Sequence, residues 1–295
     1  MSGPATSRTP QPPVRTPHPP MRQLLRSVLP DRLYTQLGIA RDRFALARFR
    51  PFVARHRYGG FELSVHIEDA MARGWYDHDW PVLAEIAVLA ERGRLVEGAR
   101  VFDIGAHQGL VAMVLGGIVG ERGQVVAVEA TPHNAAIARK NVAANSLPQV
   151  TVMHAAGADV PGVLQFSPRM NGHVADAHEA SVDVRAVTVD ELTDAHGAPH
   201  VLFIDVEGYE LHVLRGARRT LADHRPDLFV EVHMGEGLER FGDADDLLAL
   251  LPDDYEILVS KTDAGPFVSL SEGRDLLRGH SRIVALAGKR GVARG

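Results

Sequence analysis

The sequence contains no cysteine among its 295 residues. This absence excludes disulfides, thiolate zinc sites and cysteine nucleophiles together. Long apolar runs are also missing: the longest nearly uncharged one covers residues 110–120, far short of the roughly 20 residues that a membrane-spanning helix needs. The stretch MSGPATSRTPQPP lacks the apolar core of a secretory signal. We therefore expect a cytoplasmic protein without a transmembrane segment.

Acidic residues are scarce in one part of the chain. Residues 21–58 carry nine arginines against two aspartates, a net charge of +7. Because Arg8 and Arg15 precede this segment and the total charge is −5, residues 59–295 carry −14. An acidic body does not suit a nucleic-acid substrate, since phosphate contacts require a basic surface. Two interpretations of the arginines of residues 21–58 remain. They form the solvated face of a helix packed on this acidic body, or they contact an anionic partner or a membrane surface.

Two segments precede the regular part of the sequence. Residues 1–20 hold seven prolines, which predicts a disordered tail because too little apolar surface is present to offset chain entropy. Residues 21–97 carry apolar residues at helical spacings and predict a basic, mainly helical extension. Within it, residues 61–67 alternate as a strand does, and Asp79 is a predicted cap for a helix that starts near Pro81.

From Val101 onward, short apolar strands alternate with amphipathic helices, a pattern typical of a parallel sheet covered on both faces. We predict that this domain spans residues 98–290. The strand candidates are RVFDIG, QVVAVEA, QVTVMHA, HVLFIDV, DLFVEVHM, YEILVS and RIVALAG. The helical candidates are residues 108–119, 132–144, 210–222 and 243–251. Thr131 followed by Pro132 is a typical helix start.

One insertion, residues 162–192, interrupts this rhythm with a predicted strand, a polar loop and a second strand. It lies just before the fourth core strand, where it could shape a pocket. Arg169, Asn171 and His173 are therefore candidate contacts for a substrate.

Polar residues mark the carboxyl ends of the predicted strands: Asp103, Glu129, Asp205 with Glu207, and Glu231 with His233. In open parallel sheets, ligands bind beyond these ends. Gly105 and Gly109 would let the backbone approach a ligand closely, with free amides at the helix start. Glu129 could accept two hydrogen bonds from a ribose diol, in a dinucleotide site or in an S-adenosylmethionine site.

The glycine spacing separates these two cofactors. In a G-x-G-x-x-G frame that starts at Gly105, the later glycines are replaced by His107 and Leu110, so the dinucleotide fingerprint fails. Asp103, two residues before the first glycine, suits a ligand with a cationic amine, as S-adenosylmethionine has. Two alternatives remain: an NAD-dependent oxidoreductase, and an inactive methyltransferase-like module that binds a partner through its basic segment.

Five motifs resemble the FkbM family of S-adenosylmethionine-dependent methyltransferases: VFDIGAHQGL, VVAVEATPHN, VTVDEL, LFIDVEGYELHVLRGA and PDLFVEVH. The resemblance covers about residues 98–235. It implies a class I methyltransferase fold, which is α/β and Rossmann-like: a seven-stranded, mostly parallel sheet with helices on both faces and an antiparallel last strand. It further implies O-methylation of a hydroxyl on a small molecule, natural product or saccharide.

The resemblance also implies a donor site, formed by Asp103, Gly105, His107, Gly109, Glu129, Asn134 and Asp205. Three positions depart from the family's usual pattern. His107 and Gln108 stand where the family has asparagine and an apolar residue, and Phe203 stands where it often has lysine. Contacts to the donor could therefore differ locally.

Methyl transfer to an alcohol benefits from a positioned base, by about 10²–10⁴-fold. By the family match, Asp205 contacts the donor's amino acid end or the acceptor proton, and Glu207 can face the same cleft. His233 is the predicted general base because its ordinary pKa is near neutral, and strand alternation places Glu231 on the same face to orient the imidazole.

Two further interpretations concern nearby acids. Asp205, Glu207, Glu231 and His233 could alternatively hold a divalent metal, but no close ligand spacing in the sequence demands one, and we expect none. In the helix after the fourth strand, Leu211 and Leu214 are predicted core residues and Glu210 a first-turn acid favoured by the helix dipole.

Overall fold

The computed structural model describes residues 31–167, 172–175 and 181–288. The predicted tail over residues 1–20 lies outside the described residues, as do Arg169 and Asn171 of the insertion. No helix in the described ranges is long and apolar enough to cross a membrane.

The N-terminal segment combines helices with a β-hairpin. Its elements are α1 (Asp31–Arg48), β1 (Phe52–Tyr58), β2 (Phe61–Ile67), α2 (Ala70–Tyr76) and α3 (Ala84–Glu91). The predicted strand over residues 61–67 is confirmed, and its partner β1 adds a strand that the sequence did not reveal. Gly59 and Gly60 both have positive φ, as a two-residue hairpin turn requires.

Asp79 does not cap α3, contrary to the sequence prediction. The helix begins after Leu83, whose side chain offers no capping bond. Asp79 instead accepts a hydrogen bond of 3.0 Å from the backbone N–H of Arg57 and lies 3.2 Å from the ring of His56. It therefore ties the loop before α3 to β1.

The central sheet has eight strands and confirms the class I methyltransferase fold. In spatial order they are β12 (Val268–Ser269), β11 (Glu256–Ser260), β13 (Ser281–Leu286), β10 (Asp227–Val232), β9 (Val201–Ile204), β3 (Arg100–Ile104), β4 (Gln124–Glu129) and β5 (Val150–His154). The seven predicted strands are all present, and β12 is a two-residue addition at the edge. As expected, the last strand is antiparallel to both of its neighbours.

The two strands predicted in the insertion are present and pair antiparallel, whereas the predicted polar loop between them lies largely outside the described residues. A small second sheet contains β6 (Ala156–Gly157), β7 (Gly162–Phe166) and β8 (Val182–Val187).

Helices cover both faces of the central sheet. After α3 they are α4 (Leu110–Val119), α5 (Pro132–Ala144), α6 (Val189–His196), α7 (Glu210–Arg215), α8 (Arg218–Asp223), α9 (Ala244–Leu248) and α10 (Leu270–Gly273). Neighbouring strand residues face opposite clusters: Val101 packs in one and Phe102 in the other. Strands buried on both faces explain why these segments are apolar without alternation.

Two helix predictions need correction in detail. The helix predicted over residues 210–222 is divided into α7 and α8 at Gly216, where a Cβ would lie 2.0 Å from the carbonyl oxygen of Ala158. Thr131 occupies the N-cap position of α5 as predicted, but its side chain makes no capping bond. Its backbone N–H instead donates 2.7 Å to Glu129.

Candidate active site

A cleft of about 690 Å³ opens at the carboxyl ends of β3, β4, β9 and β10. It lies where the strand order reverses between β3 and β9, the position at which open α/β sheets bind ligands. The predicted site residues that line it are Asp103, Gly105, His107, Glu129, Asn134, Asp205 and Glu207. Gly109 and His233 belong to the same region but do not line the cleft.

The loop between β3 and α4 is shaped by two glycines with different roles. Gly105 has φ 96°, and a Cβ there would lie 1.7 Å from the carbonyl oxygen of Asp205, so only glycine fits between the two strand ends. Gly109 has φ 81° and would bring a Cβ to 3.1 Å from that of Ala138 in α5. It therefore permits helix packing, whereas Gly105 lies at the cleft itself.

Glu129 fixes the loop from the neighbouring strand. Its two carboxylate oxygens accept hydrogen bonds from the backbone N–H groups of Thr131, at 2.7 Å, and His107, at 2.8 Å. Burial raises the pKa of Glu129 to about 7, although the bonds from Thr131, His107 and Asn134 oppose this shift. A carboxylate held in this way keeps lone pairs for ligand hydroxyls.

Asp103 is buried beside the cleft, and its Oδ2 has no hydrogen-bond partner among the described residues. Burial and the nearby Glu129 raise the pKa of Asp103 to about 7. A buried polar atom without a partner requires an explanation, and a ligand ammonium group supplies one through a charge-assisted hydrogen bond. The residues present therefore fit S-adenosylmethionine, with an acid for its amine and a second acid for its ribose.

A second cluster of charged groups lies across the cleft, at the ends of β9 and β10. His233 Nε2 lies 3.6 Å from Asp205 Oδ1 and 3.7 Å from Glu207 Oε2. On the other side of the ring, Nδ1 lies 2.6 Å from Glu210 Oε1. Glu210 is completely buried. It is therefore the partner that orients His233, and not only a first-turn acid.

These contacts determine the protonation of the cluster. Burial alone would lower the pKa of His233, but the bond to Glu210 and the charges of Asp205 and Glu207 raise it to about 10. Enclosure in the cleft and repulsion by Glu231 raise the pKa of Asp205 well above its usual range. At neutral pH His233 thus carries a proton, which argues against the predicted role of general base.

Glu231 does not orient His233, contrary to the sequence prediction. Its carboxylate lies 2.7 Å from Nε2 of His280 and 3.1 Å from Nη2 of Arg282. Burial raises the pKa of Glu231, but these two partners and His233 outweigh that effect and lower it to about 2. Arg282 also reaches Glu85 of α3 at 3.1 Å.

The fold brings potential metal ligands together although the sequence spacing does not. Within the described ranges, two groups have ligand atoms all within 4.8 Å of one another: Asp205, Glu207 and His233, and Glu231, His233 and His280. The two groups share His233. This arrangement favours the metal alternative more than the sequence did.

The N-terminal segment forms one wall of the cleft, which no motif indicated. Trp75, Tyr76, Trp80 and Glu85 line it together with the strand ends. Phe203, at the position where the family often has lysine, packs against Phe229 with ring centroids 5.3 Å apart. The His173 backbone carbonyl accepts a bond of 2.8 Å from Ser167, inside the insertion, and His173 does not line the cleft.

Parts of this chain are similar in sequence to known proteins. A probable cobalt-precorrin-6B C(15)-methyltransferase (decarboxylating) of Sulfolobus acidocaldarius is 42% identical over 77 residues, which are 26% of this chain and 40% of that protein. Protein-L-isoaspartate O-methyltransferase 1 of Archaeoglobus fulgidus is 43% identical over 68 residues, 23% of this chain and 32% of that protein. The chain thus spans less than half the length of either relative.

A crystal structure of methyltransferase FkbM from Methylobacillus flagellatus KT shares 20% sequence identity and covers 63% of this chain and 43% of that one, with a TM-score of 0.42. The methyltransferase FkbM domain matches residues 103–257, more than half of the sequence and the part that holds both charged clusters. The chain therefore belongs to the FkbM family of S-adenosylmethionine-dependent methyltransferases.

Proposed function

We propose that the protein is an O-methyltransferase that acts on a hydroxyl of a small molecule, natural product or saccharide. One observation carries this proposal. Asp103, which has an unpartnered carboxylate oxygen, lines the same cleft as Asp205 and Glu207, so that groups suited to a donor's amine and to an acceptor's proton meet there. Alignment of two reactants in one site supplies much of the rate of a displacement.

In this proposal the residues around Asp103 and Glu129 bind the donor. Asp103 pairs with its amine, Glu129 accepts hydrogen bonds from its ribose, and the loop from Gly105 to His107 approaches it with backbone. Asn134 supports Glu129 from α5, and Asp205 lies beside Gly105 at the donor's amino acid end. When bound, S-adenosylmethionine supplies an electrophilic methyl group on a sulfonium.

In this proposal the second cluster, formed by Asp205, Glu207 and His233, contacts the acceptor. We assign the general base to Asp205, because it lines the cleft beside the donor loop and its carboxylate lies 3.6 Å from the His233 ring. Glu207 orients the hydroxyl from the same edge. His233, held protonated by Glu210, is a positioning residue that keeps both carboxylates in place. This assignment replaces His233 as the base.

Calorimetry tests the donor half of the proposal. We expect S-adenosylmethionine and S-adenosylhomocysteine to bind and NAD not to bind. No binding of either sulfur compound would overturn the proposal, whereas binding of NAD alone would establish the oxidoreductase alternative. Binding of the donor without transfer to any acceptor would support the inactive module.

Transfer of an isotopically labelled methyl group tests the acceptor half. The protein is incubated with labelled donor and a set of sugars, glycosides and polyhydroxylated natural products. A label on oxygen as an ether resists mild alkali and is released by hot hydriodic acid. A carboxyl methyl ester is lost in alkali, and a methyl group on carbon resists both treatments. Either of the last two results would contradict O-methylation of a hydroxyl.

A metal-assisted form of the reaction is a second candidate. It is favoured by the convergence of Asp205, Glu207 and His233, since a bound cation would lower the pKa of an acceptor hydroxyl. Treatment with EDTA distinguishes the two forms. We expect transfer to persist after EDTA. Loss of activity that Mg²⁺ or Mn²⁺ restores would establish the metal-assisted form.

We further propose that the protein works in the cytoplasm and that nucleic acid is not its substrate, since residues 59–295 carry a net charge of −14. The arginines of residues 21–58 are proposed to contact an anionic partner or a membrane surface. Sedimentation with vesicles that contain phosphatidylglycerol, against neutral vesicles, tests this contact at low and high salt.

A further inference from the structure

His107 and Gln108, the two residues of the donor loop that depart from the family pattern, both have partners in the N-terminal segment. The hydroxyl of Tyr76 lies 2.6 Å from His107 Nδ1. The amide of Gln108 donates 2.7 Å to Asp69 Oδ2. The donor loop is thus tied to α2 by consecutive residues.

These contacts are enclosed. Asp69 and Gln108 are each 1% exposed and Tyr76 is 5% exposed, so water does not compete freely for their polar atoms. Asp69 also accepts the N-cap bond of α2 from Ala72 at 2.7 Å. One carboxylate therefore fixes the start of the helix and the loop at the same time.

On their other side, the same two loop residues contact Glu129 and Asn134 of the donor site. The backbone N–H of His107 donates to Glu129, and the Gln108 amide lies 3.2 Å from Asn134 Oδ1. His107 has φ 50°, a backbone conformation that is uncommon for a residue other than glycine and persists where its surroundings hold it. A continuous series of hydrogen bonds therefore runs from α2 through the loop to Glu129.

We propose that Asp69 and Tyr76 are positioning residues for donor binding, which act by holding His107 and Gln108 against Glu129. This inference rests on the proposed donor site. It makes the N-terminal segment a functional part of that site, and it explains the departure at positions 107 and 108 as the other half of the contact with α2.

The central test is Tyr76→Phe, which removes the hydroxyl and keeps the ring. We expect the Kd for S-adenosylhomocysteine, measured by calorimetry, to rise about 3- to 10-fold, the range of one lost hydrogen bond. Tyr255→Phe is the matched control, because Tyr255 is also buried and its hydroxyl donates 2.7 Å to Pro226 away from the cleft. Its Kd should stay within twofold of wild type.

A double-mutant cycle separates positioning from a general loss of structure. His107→Asn restores the residue that the family usually has and removes the partner of Tyr76. We expect the double variant to bind no more weakly than the weaker of the two single variants, because both remove one shared contact. Multiplicative losses would show that Tyr76 acts elsewhere, and an unchanged Kd for Tyr76→Phe would overturn the inference. A wild-type protein that does not bind S-adenosylhomocysteine would instead contradict the donor-site proposal.

Discussion

Two buried carboxyls, Asp103 and Glu129, face the donor side of the cleft, and burial raises the pKa of each to about 7. Both are protonated below that pH and ionised above it. Because only the ionised forms attract an ammonium or accept two ribose hydrogen bonds, we expect affinity for S-adenosylhomocysteine to rise with pH. Ionisation of each group should raise this affinity about tenfold between pH 6 and pH 8. Calorimetry across that range measures the effect.

Glu129→Gln provides the control for this pH dependence. The amide keeps the size of the side chain and cannot ionise, so we expect weaker binding at pH 8 and a flatter profile. Glu97→Gln is a matched substitution of an exposed glutamate paired with Arg122. Identical profiles for Glu129→Gln and wild type would show that Glu129 does not contact the donor.

The Glu210–His233 pair is a second prediction at the residue scale. Glu210→Gln leaves a buried imidazole without its anionic partner, and loss of one member of such a pair costs about 3–5 kcal/mol of the free energy of unfolding. We also expect turnover to fall more than donor affinity, because the pair contacts Asp205 and Glu207 but not the donor loop. Urea unfolding and calorimetry check the two parts. A stable variant with normal turnover would contradict the positioning role.

The raised pKa of His233 gives this pair a defined pH dependence. The folded value is about 10 and the ordinary value is 6.5, so folding favours the protonated ring. The stabilisation is complete below pH 6.5 and is lost as pH rises through about 10. We expect the stability difference between wild type and His233→Gln, measured with chelator present, to shrink over this window. A stability difference that grows with pH would contradict the stabilising role of the protonated His233 ring.

Among the elements, α7 and α8 show where local pattern and tertiary contact disagree. The apolar spacing predicts one helix, but Gly216 lies so close to the Ala158 carbonyl that the chain turns there. Gly216→Ala should therefore destabilise the protein by about 1–3 kcal/mol through overpacking. Gly74→Ala in α2 is the control: a Cβ there meets nothing within 4 Å, so no loss is expected. Thermal unfolding compares them.

The elements also show what a sequence can specify. The inner strands β3, β4, β9 and β10 were predictable because each is an apolar run buried on both faces. Asp103, Glu129 and Asp205 were predictable as site residues because they end such strands. Strand β1 was not, since the consecutive Arg55, His56 and Arg57 interrupt its apolar residues. The adjacent β2 contacts α5 and the residue that caps it, since the N–H groups of Ser64 and His66 donate to the side chains of Asn145 and Asn141.

The parts of the site that escaped prediction all join distant segments. Glu210 and His233 lie 23 residues apart, and Tyr76 and His107 lie 31 apart. Neither pair has a spacing that indicates contact within one helix or strand. Their pairing follows from the order of strands in the sheet and from the packing of α2, which local patterns do not encode.

In the whole molecule, the N-terminal segment and the sheet share one hydrophobic cluster. Tyr58 and Val65 of the hairpin pack in it with Leu110 and Met113 of α4 and with Val101 of β3. The segment that forms a wall of the cleft is therefore anchored in the same core as the donor loop. We therefore expect donor binding at the loop to stabilise α2 against local opening.

Hydrogen exchange measures this coupling across the molecule. At S-adenosylhomocysteine concentrations 100-fold above Kd, binding stabilises the folded state by about 2.7 kcal/mol, which slows exchange at every amide that requires global unfolding. Amides of α2 that exchange through local opening should gain protection up to this limit, because Asp69 and Tyr76 contact the loop directly. Amides of α9 that exchange through local opening serve as the internal reference, since α9 packs with α7 in the other core cluster. In Tyr76→Phe the gain in α2 should fall to that of α9. Equal gains for the locally opening amides of both helices in wild type would show that the N-terminal segment is only a passive wall of the cleft.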